Sequence, residues 1–354
     1  KPLILGIESS CDETAASIVT ENKHGMPIIL SNIVSSQTDV HKEFGGVVPE
    51  LAARSHIEKI DLITKKALNE SKIKIENIDA VAATAGPGLI VCLSVGLSFG
   101  KAIASSLNKP FIAVNHLEGH ALSPKLNAKL NYPYLLLLIS GGHTQFLSVN
   151  ELGKYKRLGT TIDDAVGEAF DKTAKMLGIE FPGGPKIELY AKKGNPNKYE
   201  LPKPIFNKGG CNLSFAGLKT AVLRIVKKIK TDQEKYDLAA SFQKTVEEIL
   251  YKKTKIAFNE FKKINGDKNN TFVVAGGVAA NKKIRQTLTK LCEEENFNAI
   301  FPPIDLCGDN AAMIAMVGMQ KFKLNQFSEL DHPAKPRWPL DVDAAFLKGA
   351  GIKL

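Results

Sequence analysis

Cysteine is sparse in this chain and carries no pattern. Cys11, Cys92, Cys211, Cys292 and Cys307 form no CxxC pair and leave an odd count among 354 residues. That excludes a disulfide framework and a cysteine zinc site, and points to a reducing compartment. Long apolar runs are absent too. Tyr134–Ile139 is only strand length, far short of the roughly 20 residues a membrane span needs. The opening stretch from Lys1 to Ile7 is too short for a signal h-region and runs straight into Glu8, so a cytoplasmic protein is expected. The alternative is the mitochondrial matrix, had a transit peptide been removed.

What is present is ordinary globular composition, 44% hydrophobic and 24% charged, long enough for two lobes. The formal net charge is +10. A balance of that size fits an anionic partner such as nucleic acid, and equally a lysine-rich surface on which Glu and Asp alternate with Lys.

The chain repeats one unit. Leu3 to Ile7 breaks at Glu8-Ser9-Ser10-Cys11-Asp12-Glu13-Thr14 and resumes as Ala15 to Val19. Tyr134 to Ile139 breaks at Ser140-Gly141-Gly142-His143-Thr144 and resumes as Gln145 to Val149. Each reads as a hairpin. The first is followed by strand Ile78–Thr84, a Gly-Pro-Gly turn and a helix; the second by Thr271–Ala275, Gly276-Gly277 and a helix. A strand into Asn115-His116 is answered by Asn298–Phe301 leading to Asp309. Two related α/β lobes with a ligand cleft between them are predicted, because Gly-rich turns and helix N-termini collect at strand ends.

Within that frame, Ser140-Gly141-Gly142 can bring backbone N–H groups close to a phosphate, though a plain tight turn explains it nearly as well. Three carboxylates, Glu8, Asp12 and Glu13, make the first turn better suited to metal or base chemistry. Asn281 follows the Gly-Gly turn and offers an amide. Glu168 and Asp171 share a helix face, and Asp171, Gly184 and Glu188 could meet a ribose; alone they are as well read as a capped helix and a loop. Lys219, Arg224, Lys227, Lys228, Lys230, Lys252, Lys253, Lys255, Lys262, Lys263, Lys282, Lys283 and Arg285 form a basic set that reads as phosphate-meeting or as solvated helix faces.

His116-Leu117-Glu118-Gly119-His120 is the sharpest element in a chain with seven histidines. At i and i+4 both imidazoles share a helix face and can bind one metal. Glu118 lies about 200° round the helix from His116, at ~100° per residue, and so faces away. This disfavours a zinc peptidase, whose acid follows its first histidine directly. Asp309, in the matching place of the other half, is the candidate third ligand, and an N-cap in the alternative.

Taken together, GIESSCDET (6–14), GGVVPELAARSH (45–56), TAGPGL (84–89), NHLEGH (115–120), LISGGHTQ (138–145), IDDAVGEAFDKTAK (162–175), FPGGP (181–185), NLSFAGLKT (212–220), AGGVAAN (275–281), CGDNAAMIA (307–315) and PRWPL (336–340) resemble the TsaD family of tRNA N6-adenosine threonylcarbamoyltransferases, once labelled O-sialoglycoprotein endopeptidases. The resemblance covers nearly the whole chain and fits the bacterial or organellar branch, with no fused kinase domain.

It implies an actin/hexokinase-type (ASKHA) α/β fold, with lobes of 1–108 (joined by the tail 325–354) and 109–324. The second would carry both adenylate and metal elements. It implies transfer of threonylcarbamoyl from threonylcarbamoyl-AMP to N6 of adenosine 37, in the anticodon stem-loop of tRNAs reading ANN codons, forming N6-threonylcarbamoyladenosine (t6A). By resemblance His116, His120 and Asp309 hold one divalent metal, iron first, with zinc or magnesium as alternatives. Leu138, Ile139, Ser140, Gly141, Gly142, Asp171, Gly184, Glu188 and Asn281 line the adenylate site. Glu188 departs from the family's more usual Asp. Glu13 or Asp12 is the expected catalytic base. Implied partners are tRNA, with a TsaB-like paralogue and a TsaE-like ATPase in bacteria, or a second copy in mitochondria.

Overall fold

A computed structural model describes residues 1–267 and 269–345. The chain divides into two compact units, Lys1–Leu130 with Gly308–Leu340, and Asn131–Cys307 with the segment that begins at Asp341.

The first unit is built on a sheet of β1 (Ile4–Glu8), β2 (Glu13–Glu21), β3 (Pro27–Ser36), β4 (Ala80–Gly86) and β5 (Phe111–Asn115), in the order β3-β2-β1-β4-β5. β1, β2 and β3 are joined as antiparallel neighbours, while β4 and β5 run parallel beyond β1. Every residue of β1, β4 and β5 is buried, as expected of strands covered on both faces. α1 (Pro49–Ser71), α2 (Ile90–Ser106) and α3 (His116–Leu122) follow their strands, and Pro49 sits in the first turn of α1, where a missing N–H costs nothing. The helix Ala311–Lys323, apolar and buried from Ala311 to Met319, returns to this unit. It lies directly on β1: a Cβ at Gly6 would stand 2.4 Å from the Ala311 carbonyl oxygen. Leu5, Ile7, Ile18, Val81, Leu97 and Phe111 form the core.

The second unit repeats this plan. Its sheet holds β6 (Tyr134–Ile139), β7 (Thr144–Glu151), β8 (Lys154–Thr160), β9 (Thr271–Ala275) and β10 (Asn298–Ile300), in the order β10-β9-β6-β7-β8. β6, β7 and β8 are again antiparallel, and β9 and β10 again parallel beyond the first strand. Its helices are α4 (Val166–Met176), α5 (Gly183–Ala191), α6 (Ala216–Val226), α7 (Asp232–Asn265) and α8 (Lys282–Glu295). The long α7 opens with a capping box, in which Thr231 and Glu234 bond each other's backbone N–H. Phe170 meets Phe242 edge-on, and Phe258 stacks on Phe297 with centroids 3.8 Å apart, inside one aromatic-rich core.

The repeat of hairpin, parallel strand and parallel strand is the one read from the sequence, and each half adds a third antiparallel strand, β3 or β8. The boundary differs from 108/109. β5 hydrogen-bonds to β4, so the segment of the two expected histidine ligands belongs to the first unit and not to the second. The tail also divides. Ser328 bridges to Phe111 and Lys335 N–H donates to the Ala85 carbonyl in the first unit, whereas Asp341 accepts from Arg157 N–H on β8. The rest of the expected tail, 346–354, lies outside the described residues.

Candidate metal centre and adenylate ledge

β5 ends at Asn115, whose Oδ1 accepts from Leu117 N–H at 2.9 Å and Glu118 N–H at 3.4 Å and so starts α3. Every residue of α3 is buried. His116 and His120 lie one turn apart with ring centroids 4.8 Å apart. Asp309 Oδ1 stands 3.0 Å from His120 Nε2 and 3.4 Å from His116 Nε2. The cap of the following helix is Asn310, whose Oδ1 accepts from Met313 N–H. Asp309 itself does not cap.

Among the described residues these three side chains form the cluster able to hold a metal, with ligand atoms within 4.8 Å of one another. The two spacings from Asp309 to the histidines fit an ion. Ligand atoms about 2.1 Å from one metal lie ~3.0 Å apart at right angles and ~3.4 Å apart at tetrahedral angles. Two histidines and a carboxylate suit a divalent transition ion with coordination positions left open.

Behind His116 stands Glu8, fully buried at the end of β1. Its carboxylate accepts from Ser10 N–H at 2.6 Å and the Thr84 hydroxyl at 2.5 Å, and its Oε2 is 3.0 Å from His116 Nδ1. An Nδ1–H donated to Glu8 leaves Nε2 facing Asp309, as carboxylate–histidine–metal arrangements require. Burial alone would raise the carboxyls of Glu8 and Asp309, yet His116 holds Glu8 low and, with His120, holds Asp309 well below its usual range. Burial opposes charge on His116, but Asp309 and Glu8 raise its basicity well above the ordinary value. All three shifts describe a pocket that favours a cation. Sequence reasoning placed Glu8 only in an acidic turn, because Thr84 and His116 are 76 and 108 residues away.

Glu118 is turned elsewhere. Its Oε2 pairs with Lys321 Nζ at 3.0 Å, as the helical angle anticipates. Burial, and then the Asp309 and Asp12 carboxylates, push the Glu13 carboxyl well above the usual range.

In the second unit the Ser140 turn is tight. Ser140 N–H donates to the His143 carbonyl, and Ser140 Oγ accepts from His143 N–H. Gly141 and Gly142 are exposed with open space on their Cβ side, whereas Leu138 and Ile139 are fully buried strand residues. Beneath the turn, Gly167 of α4 donates its N–H to the Ser140 carbonyl, and a Cβ there would stand 2.6 Å from that oxygen. Asp171 Oδ1 accepts from Gly183 N–H at 2.7 Å, linking α4 to α5. Glu188 Oε1 accepts from Lys282 N–H at 2.9 Å, linking α5 to α8. Asn281 caps α8 through Oδ1 and donates Nδ2 to Gln243. The predicted adenylate residues therefore form one contiguous ledge, with Gly141, Gly142 and Gly184 as its open points. The amide of Asn281 is committed to its own neighbourhood.

Two members of the basic set are not surface cations. Lys253 is fully buried with Nζ on the carbonyls of Lys208 and Gly210, and Arg285 binds the carbonyls of Ala279 and Pro302 and the Cys307 sulfur. Lys255, Lys262 and Lys263 pair with nearby carboxylates.

Two α/β units of one topology, one carrying a His/His/Asp corner and the other a Gly-rich ledge, define a member of the actin/hexokinase-type (ASKHA) class. Two HypF structures share the fold: T. kodakarensis HypF at TM-score 0.59 and 14% identity over 92% of this chain and 48% of that one, and a full-length HypF at 0.57 and 15% over 93% and 47%. This chain spans about half the length of either.

The sequence narrows the class. Residues 28–316 match the profile of TsaD, tRNA N6-adenosine threonylcarbamoyltransferase, and the chain belongs to that family. A protein of that name from Pelagibacter ubique (strain HTCC1062) is 84% identical over 354 residues, covering 100% of this chain and 99% of the relative. Another from Rickettsia massiliae (strain Mtu5) is 54% identical over 342 residues, covering 96% and 98%.

Proposed function

We propose that this transferase moves the threonylcarbamoyl group of threonylcarbamoyl-AMP to N6 of adenosine 37 in tRNAs reading ANN codons, releasing AMP. The observation that carries the reading is the His116/His120/Asp309 corner, its histidines buried and His116 backed by Glu8, in a chain of this family.

The exocyclic amine of adenine is a weak nucleophile, its lone pair being delocalised into the ring. The N6–carbon bond forms as the carbon–oxygen bond to AMP breaks, and the amine loses a proton. Glu13, whose surroundings raise its proton affinity, or Asp12 takes that proton. Gly141 and Gly142 leave room for backbone N–H groups to meet the adenylate phosphate, with Leu138, Ile139 and Ser140 shaping that turn. Asp171, Gly184, Glu188 and Asn281 set the floor for its nucleoside. His116, His120 and Asp309 would hold a divalent ion, iron being the best fit to two histidines and one carboxylate, and the ion would supply Lewis acidity and orientation. The target adenosine lies in a single-stranded loop, where presenting its edge costs less than leaving a duplex stack.

No helix among the described residues is long and apolar enough to cross a membrane. The relatives above are bacterial, which supports a cytoplasmic assembly with a TsaB-like paralogue and a TsaE-like ATPase rather than a homodimer.

The test is mass spectrometry of nucleosides from unmodified tRNA incubated with the protein, metal and threonylcarbamoyl-AMP, with and without those two partner proteins. Product that appears with the intact protein and disappears in His116→Ala/His120→Ala supports the reading. No product under either condition, with metal shown bound, overturns it.

A further inference from the structure

The GGVVPELAARSH segment (45–56) supplies none of the candidate site residues, yet it carries a fully buried histidine, His56. Nε2 of His56 stands 3.0 Å from the carbonyl oxygen of Cys11, in the middle of the acidic turn. A carbonyl only accepts, so Nε2 carries the proton and Nδ1 is the acceptor. Two donors meet Nδ1: the Thr14 hydroxyl at 2.7 Å and the Gln37 side-chain amide at 3.3 Å. Burial favours this neutral ring.

Gln37, also buried, completes the assembly. Its backbone N–H donates to the Asp12 carbonyl at 3.0 Å, its Nε2 reaches the Ala52 carbonyl at 3.3 Å, and its Oε1 accepts from His41 Nε2 at 3.2 Å. On the other side of the turn, Leu89 N–H donates to the Ser10 carbonyl at 2.9 Å. Ser9 Oγ bonds to α2 through the Cys92 carbonyl and the Gly96 N–H. Three successive carbonyls, those of Ser10, Cys11 and Asp12, are thus held by Leu89, His56 and Gln37. Each comes from a different part of the chain. A turn carrying two carboxylates and a third one behind it would splay under mutual repulsion; satisfied backbone anchors hold it in one conformation.

We propose that His56 is a positioning residue for the acidic turn, a strut that aims Asp12 and Glu13 through the Cys11 carbonyl. The proposal rests on the role given to Asp12 and Glu13 above. Cys11 supplies a readout independent of catalysis. Cys11 is half-buried as a residue, whereas Cys92, Cys211, Cys292 and Cys307 are buried.

The experiment compares wild type with His56→Leu, His56→Gln and Thr14→Val, using single-turnover transfer and site-resolved alkylation by iodoacetamide. In His56→Leu, the transfer rate should fall about 10- to 100-fold with KM for the donor within about twofold, the size expected of a small misplacement. Alkylation of Cys11 should quicken at least ~5-fold while that of Cys92 does not, marking a local loosening. His56→Gln, whose amide N–H can stand where Nε2–H stood, should recover most of both losses, and Thr14→Val should fall between. A folded His56→Leu with wild-type transfer and wild-type Cys11 protection would overturn the strut. So would equal loss of protection at Cys11 and Cys92 in the Leu and Gln variants, which marks general destabilisation. If wild type makes no product with metal bound and the two partner proteins present, the transferase reading fails and the alkylation arm still decides the strut.

Discussion

Glu8 Oε2 lies 3.0 Å from His116 Nδ1, joining the end of β1 to the first turn of α3 across 108 residues of sequence. The same carboxylate takes the Ser10 N–H and the Thr84 hydroxyl, so no other orientation satisfies it. Glu8→Gln should therefore weaken divalent metal binding about 10- to 100-fold, the usual effect of removing a partner behind a ligating histidine. Competition against a chromophoric chelator measures it. Unchanged affinity in the folded variant would show that Glu8 merely fills space.

Glu13→Gln and Asp12→Asn separate the two candidate bases. The residue that takes the N6 proton should lower single-turnover transfer roughly 10²- to 10⁴-fold when neutralised, the other far less. Metal affinity should stay near wild type in both. If neither substitution slows the step, neither carboxylate is the base.

Gly167→Ala tests the ledge. The added Cβ would stand 2.6 Å from the Ser140 carbonyl oxygen and 2.8 Å from Gly141 Cα, both backbone atoms that cannot swing aside. The Ser140 turn must shift, at a stability cost of about 1–3 kcal/mol. Equilibrium binding of a non-hydrolysable adenylate should weaken at the same time. Full-strength binding would place the adenylate elsewhere.

Asp237 gives the acid side of the stability curve. Asn195 N–H at 2.7 Å and the Gln233 amide at 2.9 Å bond its carboxylate and hold it below the usual range. Its stabilising contribution is present above the unfolded value of about 3.9 and is lost as pH falls through the lower folded value. Wild type should thus lose more stability than Asp237→Asn between pH 5 and pH 3, read from urea midpoints. Equal losses would mean the bonds do not discriminate between charged and neutral forms.

Much of this was legible in the sequence wherever the signal is local. The two hairpin corners, the Gly-Gly turn after β9 and the spacing of His116 and His120 follow from periodicity and turn chemistry. What stayed hidden depends on partners far along the chain. β3 and β8 carry mixed burial and no clean alternation, so they read as connections. Lys253 reads as one more surface cation on a helix rich in them, and only the Lys208 and Gly210 carbonyls explain why it is buried. The tail from residue 325 is expected on the first lobe, but nothing in the sequence shows that the return begins as early as Gly308, because it depends on the Ala311–Lys323 helix packing on β1.

That packing has a bearing on anyone wishing to redesign the candidate metal corner. With Gly6 bare, the backbone of the Ala311–Lys323 helix rests against β1, the strand that ends in Glu8, and Asp309 stands just before the helix. Asp309 and Glu8 thus ride on two rails already in contact, with no side-chain cushion left to compress. Retuning the corner for a larger or smaller ion would require moving a whole helix; exchanging one residue within it would not be enough.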